Sequence, residues 1–220
     1  TKYSIKHESL ATNVAGADAL LLVVKPQDMA IVLEEIRETI NPAAVVITFA
    51  AGKSISFISN ALGTGNPVVR VMPNTPTLVG AGMAAVSIGV GVTDAQKQFV
   101  LNLLAATGKV IEVTEDLQDA VTATSGSGPA YFFAFVEAMI AGARELGLSA
   151  QDATTLTVQT IVGAAKLLDE SGESATTLRE NVTSPNGTTA AALASFGSSE
   201  LNSMVAKAMK AASDRSQELA

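Results

Sequence analysis

The sequence predicts an α/β domain built on a parallel, doubly wound sheet, followed by an all-α domain. Three observations predict it. Up to about Thr114, short continuous apolar runs alternate with segments of helical period, the pattern of strands joined by crossover helices. From Glu115 onward no strand-like run recurs. The helices of this second part are apolar or small on most of their faces, and such helices must be covered. The boundary is read between residues 114 and 115, giving domains 1–114 and 115–220.

The elements follow in order. Residues 19–24 form a buried-strand run, Ala-Leu-Leu-Leu-Val-Val. Residues 27–40 carry Met29, Val32, Leu33, Ile36 and Ile40 at helical spacing, and Asn41-Pro42 stops them. A second buried strand occupies 44–49, a short helix 54–62 ends in the Gly63-Thr64-Gly65 turn, and a third strand spans 68–72. Residues 84–90 and 109–113 are two more strands, flanking a helix opened by a Thr93–Gln96 capping box. In the second half, 117–124 reads as helix and 125–129 as a turn that puts Pro129 at a first helical position. The helix behind it runs to Leu146, carries Tyr131, Phe132, Phe133 and Phe135, and closes at Gly147. Ser149 and Asp152 resemble a capping box for a helix running toward Gly172. Helices over 174–181, 188–196 and 199–219 complete the domain. Helices with so much apolar surface predict a helical homodimer; an ordinary monomeric bundle is the alternative.

Composition narrows the function. The chain has 220 residues, 48% of them hydrophobic, enough for two small domains with real cores. A net charge of −7, with no basic patch interleaved with aromatics, argues against a nucleic-acid partner. No apolar run reaches the ~18 residues of a membrane span; the best one, 17–24, is interrupted by Asp18 and followed by Lys25-Pro26. No secretory signal is read at the start. With no cysteine there is no disulfide and no thiolate metal site, which fits a cytoplasmic location. The single histidine is His7, so neither a histidine-dependent triad nor a histidine-rich metal centre is expected.

Two kinds of segment look suited to ligands. In a doubly wound sheet ligands sit past the carboxyl ends of the strands, and three of those ends are unusual: Val24-Lys25-Pro26, Ala50-Ala51-Gly52 and Met72-Pro73-Asn74-Thr75-Pro76. In the helical half, Ser184-Pro185-Asn186-Gly187 is turn chemistry, and Thr188-Thr189 follow where a helix begins. Free N–H groups and two hydroxyls converge there, an arrangement suited to a carboxylate. The plainer alternative is a linker with a threonine cap. No Gly-x-Gly-x-x-Gly fingerprint follows a strand, so these residues alone give an α/β domain plus a helical one, dimeric, and no function.

The stretch 178–193, Leu-Arg-Glu-Asn-Val-Thr-Ser-Pro-Asn-Gly-Thr-Thr-Ala-Ala-Ala-Leu, resembles the signature of the pyrroline-5-carboxylate reductases. Asn186 stands where the family commonly has glycine, a mild departure because asparagine tolerates the left-handed region. Arg70-Val71-Met72-Pro73-Asn74-Thr75-Pro76 is similar to a second family landmark, and residues 123–131, Ala-Thr-Ser-Gly-Ser-Gly-Pro-Ala-Tyr, to a third. The resemblance covers nearly the whole chain. It implies a Rossmann-like sheet, incomplete here at its N-terminus because the first βαβ unit and phosphate loop are absent.

The resemblance also implies hydride transfer from NADPH or NADH to the imine of 1-pyrroline-5-carboxylate, giving L-proline in the last step of proline biosynthesis. Ser184, Asn186, Gly187, Thr188 and Thr189 are the implied substrate residues, with Thr189 catalytic through its hydroxyl at the ring nitrogen. Val24, Lys25, Pro26, Ala51, Gly52, Glu115 and Asn181 are the implied cofactor residues, and no metal is implied. A homodimer is the implied state; ring-like assemblies of dimers occur in the family, and whether these dimers assemble further is left open. Two alternatives remain open at this level. One is a related imine or β-hydroxyacid dehydrogenase, although the helix after Pro129 offers Glu137 and Arg144 but no central lysine. The other is a non-catalytic helical dimerisation module.

Overall fold

A computed structural model describes residues 9–219; His7 lies outside them. The described residues fall into two compact units. One contains the residues up to Pro129 together with those from Lys210, and the other is Ala130–Met209.

The first unit is built on a five-stranded sheet in the order β1-β2-β3-β4-β5. Its elements are α1 (Leu10–Ala15), β1 (Ala19–Leu22), α2 (Met29–Ile36), β2 (Val45–Thr48), α3 (Ile55–Leu62), β3 (Val68–Met72), β4 (Gly82–Ile88), α4 (Asp94–Ala105) and β5 (Gly108–Glu112). The strand β2 is buried along its whole length, and its side chains alternate between two cores. Val46 packs with Leu22, Met29, Leu33, Ile58 and Leu62 on one face. Val45 and Ile47 pack with Val69, Val71, Val86 and Val100 on the other. The capping box before α4 is present, Gln96 N–H donating to Thr93 Oγ1 at 3.2 Å and Thr93 N–H to Gln96 Oε1 at 3.0 Å.

The sheet is dominated by parallel pairs, as the sequence predicts, with one antiparallel pair that the sequence reading lacks. β1, β2 and β3 are parallel, but β4 runs antiparallel to β3, and β5 is parallel to β4. Residues 73–81, containing a 3-10 turn over Thr75–Val79, are all that joins β3 to β4. A parallel crossover needs about a dozen residues or more, so the chain can only turn back.

The segment after β5 also departs from expectation. Residues 117–124 are not one helix: a 3-10 turn (Glu115–Leu117) leads into α5 (Gln118–Val121), and a π turn over Thr122–Gly126 follows. Thr122, Thr124 and Ser125 donate their hydroxyls to the carbonyls of Gln118, Ala120 and Val121. Such back-bonding competes with the helical ladder and opens it. The next helix, α6 (Gly128–Glu145), starts at Gly128, so Pro129 is its second residue.

This segment belongs physically to the sheet. Gln118 is fully buried, and its Nε2 donates to Ser87 Oγ at 2.8 Å, while that hydroxyl donates to the Val113 carbonyl at 3.0 Å. Strand content and compactness therefore divide the chain at different places. The end of the chain joins the same unit, where the buried Ser216 donates to Asp119 at 2.6 Å.

At the centre of the sheet, Arg70 is only 7% exposed. Its Nη1 lies 3.4 Å from Glu115 Oε1, and the same oxygen accepts the N–H of Ile55, the first residue of α3, at 2.6 Å.

The second unit is helical: the rest of α6, then α7 (Ala150–Glu170), α8 (Ala175–Asn181), α9 (Thr188–Ser198) and the first half of α10 (Leu201–Glu218). Ser149 and Ser174 cap α7 and α8 through the N–H groups of Asp152 and Thr177. Asp152 accepts from the Ser149 hydroxyl. The unit buries little of its apolar surface. In α7 only Ala153 and Thr157 are buried, while Phe132 and Phe133 of α6 are each 63% exposed. Phe135 and Phe196 meet with ring centroids 6.1 Å apart.

Glu115→Ala removes one carboxylate from two partners and leaves the Arg70 charge uncompensated in the sheet. Urea unfolding is expected to show a loss of about 2–3 kcal/mol. A double variant, Arg70→Met with Glu115→Leu, is expected to recover most of it. Parental stability of Glu115→Ala contradicts the role given to this pair.

Candidate active site

Because β1, β2 and β3 are parallel, their carboxyl ends at Leu22, Thr48 and Met72 share one edge of the sheet. A cavity of about 360 Å³ lies there. Val23, Phe49 and Pro73, the first residues beyond the three strands, line it together with Met83, Leu103 and Lys109. It is an apolar recess at the place where a sheet of this kind takes ligands. Sequence reading had singled out neighbours of these residues but neither Val23 nor Phe49. Their signal was position alone, one step past a strand end.

Val24 and Pro26 are half-buried and Lys25 is exposed. The Lys25 carbonyl accepts from Asp28 N–H at 3.0 Å, which turns the chain away from β1. Ala51 is half-buried. The corner before it is held by Ala50 N–H donating to the buried Thr48 hydroxyl at 3.3 Å. Gly52 has φ 73° and is buried. A Cβ on it would lie 2.9 Å from the backbone carbonyl carbon and oxygen of Leu219. A left-handed backbone and a close-packed C-terminal turn thus both require glycine.

Of the expected cofactor residues, Val24, Lys25, Pro26, Ala51 and Gly52 therefore come together at one edge. Glu115 is engaged by Arg70 and by the start of α3. Asn181 is exposed in the other unit, as the last residue of α8.

The expected substrate turn is a β-turn closed by Gly187 N–H donating to the Ser184 carbonyl at 3.0 Å. Pro185 is its second residue, and Asn186 has φ 59°, the pattern of a type II turn. A Cβ on Gly187 would collide with Ser184 Oγ, so glycine lets the serine hydroxyl fold back over the turn. The helix α9 begins at Thr188. Its N-cap is Gly187, which has no side chain to cap with. This corrects the threonine-cap reading: Thr188 and Thr189 are the first two helical residues and neither caps.

The first bond of the helix is Ala191 N–H to the Gly187 carbonyl at 3.1 Å. The N–H groups of Thr188, Thr189 and Ala190 precede it and have no intrahelical acceptor. Thr188 is exposed and Thr189 half-buried. Ser184, Asn186, Gly187, Thr188 and Thr189 thus share one turn and the positive end of a helix. A larger cavity of about 620 Å³ lies on α8, α9 and the start of α10, lined by Arg179, Thr183, Leu193 and Phe196 among others, but by none of these five residues.

A family model described as pyrroline-5-carboxylate reductase dimerisation matches residues 115–219. The pyrroline-5-carboxylate reductase of Pseudomonas aeruginosa is 43% identical over 214 residues, which is 97% of this chain and 78% of that protein. This chain belongs to the pyrroline-5-carboxylate reductase family. Solved members share its structure. The reductase from Coxiella burnetii superposes with a TM-score of 0.90 at 37% identity, over 97% of this chain and 80% of that one. The Plasmodium falciparum enzyme, solved with NADP bound, gives 0.89 at 30% identity, over 97% and 81%.

The family's Rossmann-like domain and helical dimerisation domain are the two parts read from the sequence. The β-hydroxyacid dehydrogenase and non-catalytic readings give way to an oxidoreductase of this family. Among the described residues no helix is long and apolar enough to cross a membrane.

Proposed function

We propose that this chain reduces the C=N bond of 1-pyrroline-5-carboxylate to L-proline, using NADPH or NADH, as the last step of proline biosynthesis. The observation that carries this reading is the site at 184–189, in a chain of this family. The substrate is a small ring bearing one carboxylate and one imine nitrogen. The free N–H groups of Thr188, Thr189 and Ala190 offer the carboxylate a preorganised set of donors at a helix start, and the Ser184 hydroxyl adds another. With the carboxylate held there, the Thr189 hydroxyl, one turn position inside α9, can hydrogen-bond the ring nitrogen.

The reduced nicotinamide, when bound, supplies the hydride. The residues at the β1–β3 edge suit its nicotinamide end: an apolar recess beside the backbone of Val24, Lys25, Pro26, Ala51 and Gly52. No glycine-rich phosphate loop occurs in this chain, so only that end of the cofactor is fitted here. The protonated imine needs no strong acid from the protein, which accords with a site lacking histidine and cysteine. Holding the ring still is then the main contribution of these residues. A cysteine-free sequence and a reduced cofactor both suit the cytoplasm.

Thr189→Ala tests the chemical role. It removes one hydrogen bond worth roughly 1.5–3 kcal/mol to a charged partner, so kcat/KM is expected to fall about ten- to a hundredfold with cofactor affinity unchanged. Thr188→Ala, which removes no cap, is expected to keep both activity and stability close to parental. The reverse pattern assigns the hydroxyl to the wrong residue.

The exposed faces of α6 and α7 support a two-fold dimer of this chain. Their apolar surface, Phe132, Phe133, Leu156 and Val162 included, suits an interface above the ~2,000 Å² of obligate pairs. Sedimentation at micromolar concentration is expected to show a dimer, and a monomer there contradicts this assembly.

A further inference from the structure

Two landmarks that the sequence shows separately, Arg70–Pro76 and Ala123–Tyr131, are joined in the structure. Along β3 and its extended continuation, residues 70, 72 and 74 lie on one face. Each reaches the segment that follows β5. Arg70 pairs with Glu115. The Met72 methyl packs so closely on Gly126 that a Cβ there would collide with it. The Nδ2 of Asn74 donates to the Ser125 carbonyl at 3.1 Å.

That last contact answers a specific deficit. Where the π turn gives way to α6, the α-helical donor to the Ser125 carbonyl would be the residue four further on, which is Pro129, and proline has no N–H. The π turn is already committed elsewhere, with Ser127 N–H donating to the Thr122 carbonyl at 2.8 Å. The amide of Asn74 takes the missing donor's place.

Its other end is equally committed: Asn74 Oδ1 accepts Met83 N–H at 2.8 Å, at the start of β4. A backbone N–H can only donate and a carbonyl can only accept, so one orientation of the carboxamide satisfies both. Asp at this position keeps the Met83 bond and turns an oxygen toward the Ser125 carbonyl.

We propose that Asn74 is a positioning residue of the reductase: its amide supplies the donor that Pro129 withholds, and so holds the π turn before α6 against the carboxyl edge of β3. This rests on the reading that the cofactor's nicotinamide end lies along that edge. Asn74 touches neither ligand in this role. It sets the turn from Ser125 to Gly128 against Met72 and Asn74, the neighbours of Pro73, which lines the recess; next to a reacting ligand a displacement of about 1 Å costs up to ~100-fold in rate.

The test uses Asn74→Asp, Pro129→Ala and the double variant in the whole protein, with steady-state imine reduction and amide hydrogen exchange over residues 122–128. Asn74→Asp is expected to lower kcat at least about tenfold with KM for the cofactor little changed, and to speed exchange in that segment. Pro129→Ala restores an N–H to Ser125, and in its background Asn74→Asp is expected to lose most of both effects. A purely structural role at the β3–β4 corner lowers thermal stability without this rescue, and that result overturns the proposal, as does parental kcat for Asn74→Asp. If the unmodified protein fails to reduce pyrroline-5-carboxylate, the functional reading fails instead. Hydrogen exchange and its rescue by Pro129→Ala still decide whether Asn74 holds the turn.

Discussion

The central strand of the sheet carries a buried guanidinium, and the ion pair that neutralises it organises the first unit. Arg70 of β3 cannot remain charged and unpaired in that position without a large penalty. Glu115 provides the partner, and the same carboxylate oxygen satisfies the first N–H of α3. One oxygen thus links the middle of the sheet, the start of a helix behind β2 and the segment leaving β5. With Glu115 fixed, Gln118 is drawn under β4 to Ser87, and the π turn reaches the end of β3 at Asn74. The carboxyl edge of the sheet is bordered by chain that comes from more than a hundred positions away as well: Leu219 lies against Gly52.

Much of this was legible in the sequence, and the reasons differ by element. The apolar run that became β2 announces itself because a strand buried on both faces has no polar alternation to confuse it, and the run at β1 is as continuous although Leu21 is exposed. The Thr93–Gln96 box and the Asn186-Gly187 turn are local chemistry, decided within four residues. The antiparallel step from β3 to β4 was missed because strand-helix alternation outweighed the shortness of residues 73–81, although connection length is the stricter constraint. The π turn was read as helix because its cause lies in three hydroxyls choosing carbonyls over solvent. Gly52 was legible only as part of a strand end suited to a cofactor; its contact with Leu219 was not, because no local signal carries a contact over that separation. The threonine cap failed by one position: Gly187 is the N-cap, and α9 begins at Thr188.

The two ligand-suited places ask different things of the chain. At the sheet edge the residues are small or apolar and offer mostly backbone, which suits a planar ring that must be shielded from water. At the start of α9 the backbone offers N–H groups with no acceptor inside the helix, which suits a carboxylate. Neither place presents a histidine or cysteine. On the proposed reading, chemistry there depends on position and on one hydroxyl, which accords with an iminium that already carries its proton. The helical unit fits the same account from another side. Its exposed phenylalanines and leucines are surface of the kind that marks an interaction interface, and the family model over 115–219 is one of dimerisation.

The most direct measurement is a crystal structure of the protein with L-proline bound. The expected result places the carboxylate oxygens about 3 Å from the N–H groups at the start of α9 and the ring nitrogen within hydrogen-bond reach of Thr189 Oγ1. A proline carboxylate bound elsewhere, at the Lys25 ammonium for example, with the 184–189 turn unoccupied, contradicts the assignment of this helix start as the substrate site.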